Sequence, residues 1–133
     1  MANGLVLETT FLIDLEREAG RRQAGPAHRL LERHAATPLY LTITVAGELA
    51  AGASLAERQV WERFLEPFPL LDLTPDVAWH YGQAYRYLQQ HGLLIGANDL
   101  WIAAAALAYA LPVATRDAEH FRRVPGLEVV SYT

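Results

Sequence analysis

Short apolar, β-favouring runs recur along this chain, and the stretches between them are patterned as helices. The runs are Leu5-Val6-Leu7, Leu39-Tyr40-Leu41-Thr42, residues 70–73, residues 112–115 and Val129-Val130. Thr9 or Thr10 suits the cap of a first helix carrying Phe11, Leu12 and Leu15 and ending at Gly20. Pro26 opens a second, over residues 27–34. Thr44 is placed to cap a third, over residues 45–51, closed by Gly52. Val60, Trp61, Phe64 and Leu65 repeat at helical spacing until Pro67 and Pro69 break the pattern. Thr74-Pro75-Asp76 starts a helix with Val77, Tyr81, Ala84 and Leu88 on its inner face, and Gly92 ends it. Gly96-Ala97-Asn98-Asp99 opens the most apolar helix, which runs to about Ala110. Asp117 to Phe121 reads as a short turn or helix. This alternation predicts an α/β fold: a single domain over residues 1–133, a three-layer α/β/α sandwich around a central, mainly parallel sheet. Ligands of such sheets bind beyond the carboxyl ends of the strands, which directs attention to the residues there.

Composition narrows the function classes. The chain has 133 residues, 52% of them hydrophobic and 20% charged, enough to bury one core. Cysteine is absent, which excludes disulfides and thiolate metal sites and points to a reducing, cytoplasmic setting. The neutral stretch Met1 to Leu7 does not read as a signal peptide. The longest apolar run, residues 100–113, is too short for a membrane span, so no membrane association is expected. A net charge of −4 argues against non-specific wrapping of nucleic acid. All 11 basic residues are Arg, which reflects either coding bias or a use for bidentate phosphate contacts.

Four carboxylates fall just after strands or early in the helices that adjoin them. Glu8 directly follows Leu5-Val6-Leu7, Glu48 lies in the helix after the second strand, Asp99 opens the apolar helix, and Asp117 follows the strand at residues 112–115. Singly, Asp99 suits a helix N-terminal dipole and Asp117 a helix cap. Glu48 is not a capping-box acid, and Glu8 has no evident structural role. As a set, converging carboxylates repel one another and require compensation. All-oxygen donors favour Mg²⁺ or Mn²⁺. Two such ions about 3.5–4 Å apart would activate water and stabilise the leaving oxygen of a phosphodiester.

The same segments resemble a known family. Residues 7–13, Leu-Glu-Thr-Thr-Phe-Leu-Ile, are similar to the opening motif of PIN domains. Residues 42–52, with Glu48-Leu49 and Gly52, resemble the second motif. Asn98-Asp99-Leu100-Trp101, residues 111–117, His120-Phe121 and Val124-Pro125-Gly126-Leu127 resemble the remainder. The resemblance spans essentially the whole chain and is closest to VapC-type toxins of VapBC toxin–antitoxin pairs. It implies a single PIN-like domain with Mg²⁺- or Mn²⁺-dependent endoribonuclease activity, in which water attacks phosphorus. Glu8 and Asp99 would be the principal metal ligands, with Glu48 and Asp117 completing the catalytic cluster. Thr9, Thr10 and Thr115 would orient ligands or phosphate, and Arg116 would either reach the RNA backbone or remain a solvated surface residue. The implied partners are an RNA substrate, a VapB-like antitoxin and a second copy in a homodimer. One departure stands out: the family's first acid is normally Asp, and here it is Glu8.

Two rivals follow from the residues. Glu8 favours a PIN fold that binds RNA or a protein partner with weakened catalysis, which Mn²⁺ and a mixed RNA pool would separate from an active nuclease. A phosphatase or receiver module would want a nucleophilic Asp after the first strand, where this chain has Glu8, and it contains no Lys. His28, His34, His80, His91 and His120 lack metal-ligand spacing and read as surface or packing residues, and Trp61, Trp79 and Trp101 read as core or interface. Trp61, Phe64, Leu65 and Phe68 carry enough apolar surface to need covering, by another chain or by the segment that Pro67 turns back.

Overall fold

A computed structural model describes residues 4–132; Met1–Asn3 and Thr133, part of the domain expected over 1–133, lie outside the described residues. Five strands form one sheet: β1 (Leu5–Leu7), β2 (Leu39–Thr42), β3 (Leu70–Leu71), β4 (Val113–Thr115) and β5 (Val129–Ser131). Their spatial order is β3-β2-β1-β4-β5 and every pairing is parallel, with Val6 opposite Tyr40 on one side and Val113 on the other. β1 and β4 are fully buried, as strands covered on both faces must be.

The helices are α1 (Thr9–Gly20), α2 (Pro26–Arg33), α3 (Ile43–Ala51), α4 (Arg58–Leu65), α5 (Pro75–Gln90), α6 (Ala97–Ala108) and α7 (Ala118–Phe121). The chain winds outward from β1 to β2 and β3, then returns past β1 to β4 and β5. The crossovers run in opposite directions along the sheet, which by the right-handed rule for parallel strands sets α1 and α2 on one face and α5 and α6 on the other, the expected three layers. The carboxyl ends of β1 and β4 flank the point where the winding reverses, which is where open sheets of this kind leave a crevice.

Two caps differ from expectation. Glu8, rather than Thr9 or Thr10, caps α1: its side chain accepts from the Thr10 N–H. Thr42, rather than Thr44, caps α3, accepting from the Val45 N–H, and its hydroxyl also bonds that of Thr44. In both cases the helix begins directly off the strand, leaving no loop in which the later threonine could serve.

The apolar face of α4 is covered by the chain itself. Leu65 and Phe68 are only 8% and 9% exposed, Phe64 packs on Phe68, and the Trp61 indole N–H donates to the Ala46 carbonyl at 2.9 Å. The turn at Pro67 has folded Phe68 back into the core, while Trp61 and Phe64 stay half-buried. Among the described residues, no helix is long and apolar enough to cross a membrane.

Candidate functional site

The acid after β1 is held from both sides of the sheet. The Glu8 backbone N–H continues the ladder to Ala114 of β4 at 3.2 Å, and the residue is 2% exposed. Its Oε1 accepts from the hydroxyls of Thr10 and Thr115, both at 2.6 Å, and its Oε2 accepts from the Thr10 N–H at 2.9 Å. A carboxylate has about four acceptor positions, so one lone pair on Oε2 remains open. Thr115, itself fully buried, also accepts from the Asp117 N–H at 2.9 Å. One hydroxyl thus ties the acid after β1 to the backbone of the acid after β4.

Glu48 faces the same point from the second turn of α3. Its Oε1 accepts from the Thr9 hydroxyl at 2.7 Å and its Oε2 from the Asn98 amide at 3.2 Å. α6 runs back towards the start of β4, so its N-terminus lies at the carboxyl edge of the sheet and brings Asp99 to the cluster. Among the described residues, no donor reaches the Asp99 carboxylate. Burial, and then the charges of Glu8, Asp117 and Glu48, push it up from 3.8 to about 6, against a smaller opposing effect of His120. A helix N-terminus would lower this value, so the surrounding acids outweigh the dipole.

Asp117 occupies the cap position of α7, yet its side chain makes no cap bond. Instead Oδ2 lies 2.7 Å from His120 Nδ1, one turn along. Asp99, Asp117 and His120 each present a ligand atom, all within 4.8 Å of one another.

The four acids expected from the sequence therefore converge, and Thr9, Thr10 and Thr115 each bond one of them. Arg116 turns away: its Nη1 donates to Asp14 Oδ1 at 2.9 Å, and Asp14 Oδ2 accepts from the Tyr132 hydroxyl at 2.6 Å. Sequence reasoning missed His120 and Asn98. The signal for His120 was its i,i+3 spacing from Asp117, and for Asn98 its place beside Asp99 at a helix start. The donor set suits a divalent cation: carboxylate oxygens with one imidazole, gathered where burial and the neighbouring acids raise the Asp99 carboxyl to about 6.

Comparison with known proteins shows the family. The PIN domain family profile matches residues 5–127. The chain is 29% identical to Ribonuclease VapC of Rickettsia bellii, over 96% of each chain. It is 36% identical to Ribonuclease VapC2 of Haemophilus influenzae, over 68% of this chain and 72% of that one. Among solved structures it is similar to VapBC2 from Rickettsia felis bound to a promoter DNA fragment, with TM-score 0.81 and 25% identity, covering 97% of this chain and 98% of that one. It is also similar to FitAcB from Neisseria gonorrhoeae, with TM-score 0.76 and 28% identity over 94% and 95% of the two chains.

Proposed function

This chain belongs to the PIN-domain family, and on that premise we propose that it is a divalent-metal-dependent endoribonuclease, the toxin of a type II toxin–antitoxin pair. The observation that carries the reading is the convergence of Glu8, Glu48, Asp99 and Asp117 on one sheet edge, where burial and the other acids raise the Asp99 pKa to about 6. Asp99 and Asp117 would hold Mg²⁺ or Mn²⁺, with Glu8 through the open position on Oε2 and Glu48 completing the acidic wall. When bound, the ion would polarise the attacking water and the phosphate. The protein's own contribution is positioning. Thr10 and Thr115 lock the Glu8 carboxylate, Thr9 and Asn98 lock that of Glu48, and Asp99 must lose its proton before it can ligate. A water oxygen would then form the new bond to phosphorus while the bond to a ribose oxygen breaks.

The relatives named Ribonuclease VapC and the VapBC complexes support RNA as substrate and a VapB-like antitoxin as partner; a second copy in a homodimer and action in the cytoplasm belong to the same proposal. The test is cleavage of a mixed RNA pool in Mg²⁺ and in Mn²⁺ by wild type and Asp99→Asn. Loss of cleavage in the variant is expected, and equal cleavage by the two proteins overturns the reading.

One observation favours a second reading, an RNA- or partner-binding protein with weakened catalysis. Glu8 already accepts three hydrogen bonds, so its longer side chain is spent largely on local structure. Under this reading the wild type binds RNA without cutting it in Mn²⁺, and Glu8→Asp restores cleavage.

A further inference from the structure

Beside the acid cluster lies a pocket of about 250 Å³ lined by Asp14, Arg17, Arg21, Arg116 and Tyr132, among others. Resting on the nuclease reading above, we propose that this pocket binds backbone phosphates of the RNA to one side of the scissile bond. Arg17 and Arg21 would supply the free charges, with Arg116 as the fixed member of the set.

The placement follows from the fold. Arg116 sits between Thr115, which bonds Glu8, and Asp117, so the pocket and the acids share the end of β4. Thr10, which also bonds Glu8, begins a stripe on α1: Thr10, Asp14, Arg17 and Arg21 stand at i, i+4, i+7 and i+11, on one helix face. That stripe runs about 16 Å from the acids, more than a single phosphate requires.

The charges are unequally available. Asp14 is satisfied by Arg116 and Tyr132, and Tyr132, 5% exposed and stacked edge-on against Phe11 at 5.0 Å, anchors the pair. Glu18, at the pocket wall, is satisfied by the N–H groups of Gly25, Ala27 and His28 and by the His28 ring. Among the described residues, the arginines in ion pairs are Arg58, Arg116 and Arg123. Arg17 and Arg21 line the pocket outside these ion pairs, so their guanidinium groups are available to a phosphate, which Arg can grip bidentately. In a chain of net charge −4, residues 17–33 hold Arg17, Arg21, Arg22, Arg29 and Arg33 against only Glu18 and Glu32, a local surplus of three positive charges. A polyanion approaching an acidic site needs such a track, because the site itself repels it.

The experiment measures binding of labelled single-stranded RNA of mixed sequence by fluorescence anisotropy, in the Asp99→Asn background with Mn²⁺ present, across a salt series. Adding Arg17→Ala and Arg21→Ala should weaken binding about tenfold and make the salt dependence shallower by one to two units of slope. Arg58→Ala, on α4 and paired with Glu62, should change neither. Circular dichroism checks that the exposed alanine substitutions leave the helices intact. If the Asp99→Asn parent binds RNA and the double variant binds it equally with the same slope, the pocket assignment is wrong while the nuclease reading stands. Unchanged RNA binding with weakened capture of the antitoxin would likewise remove the phosphate assignment and give the pocket to the protein partner. No RNA binding by any of these proteins, together with no cleavage by the wild type, would bring down the nuclease reading and the pocket with it.

Discussion

Glu18 and Asp99 are two carboxylates drawn away from water, and the molecule drives them in opposite directions. Burial pushes Glu18 up, but bonds from the His28 backbone and ring and from the Ala27 and Gly25 N–H groups outweigh it, holding the carboxyl at about 2. Those donors are the first N–H groups of α2, so Glu18 closes a helix end that Gly25, the residue before the helix, leaves without a side-chain cap. Asp99 receives no donor and faces Glu8, Asp117 and Glu48, so burial and repulsion act together and it rises to about 6. A carboxylate that the fold supplies with donors is part of the scaffold. One that the fold surrounds with further acids is held as an anion at a cost that a cation from outside would remove.

The largest expected effect breaks the pair apart by function. Asp99→Asn should abolish RNA cleavage, by about a thousandfold or more, since a lost ligand removes several kcal/mol of transition-state stabilisation. Glu18→Gln should leave the turnover of the folded protein intact, and gel-based cleavage of one RNA by both variants checks the contrast.

Next comes stability. The Glu18 pKa is depressed from 4.5 to about 2, so its contribution is present above pH 4.5 and is lost as pH falls towards 2. Discounted for solvent screening at this helix end, the shift corresponds to about 1–2 kcal/mol at neutral pH. Urea unfolding of Glu18→Gln at pH 7 should show a loss of that order, shrinking as pH is lowered through this window. A variant as stable as the wild type at pH 7 would mean that α2 is not held through Glu18.

Thr115→Val lies between the two carboxylate types, because it removes a donor from Glu8 and an acceptor from the Asp117 N–H. Cleavage or metal affinity should fall about 10- to 100-fold, as it does when supports of metal ligands are removed. Titration calorimetry with Mn²⁺ and initial rates report the two quantities separately.

The smallest effect is the sharpest test of sign. Asp99 is raised, so its favourable contribution to folding is full below pH 3.8 and is lost as pH rises through 6. Metal-free wild type should lose a few degrees of Tm between pH 5 and pH 7.5 relative to metal-free Asp99→Asn, and Mn²⁺ should restore them to the wild type alone. A pH trend identical in the two proteins would show that Asp99 carries no such strain.

Much of this was readable from sequence because it depends on local pattern. Each strand is an apolar run and each helix a 3.6-residue repeat, so the layers and the carboxyl edge followed, and with them the four acids. What escaped depends on partners far along the chain or on small shifts of boundary. Asp14 means nothing until Arg116 and Tyr132, 102 and 118 residues away, are folded onto it. His120 becomes part of the cluster only once α7 winds it back over Asp117. The cap of α1 was misplaced because Thr9 and Thr10 are better caps by type, whereas Glu8 is set there by the ladder bond to Ala114. For the apolar face of α4, Pro67 signalled a turn back but not that Phe68 itself would enter the core.

The double duty of Glu8, as an acid of the cluster and as the cap of α1, bears on how such a protein drifts when selection relaxes. Mutations that silence Asp99 would relieve repulsion, so inactive descendants with a changed Asp99 should fold at least as well as their parent. Mutations at Glu8 disturb the start of α1 and the join between β1 and β4 together, and lineages carrying them need a second change to persist. Decay should therefore erase the two acids in a fixed order, Asp99 before Glu8, and leave inactive copies whose first acid still stands.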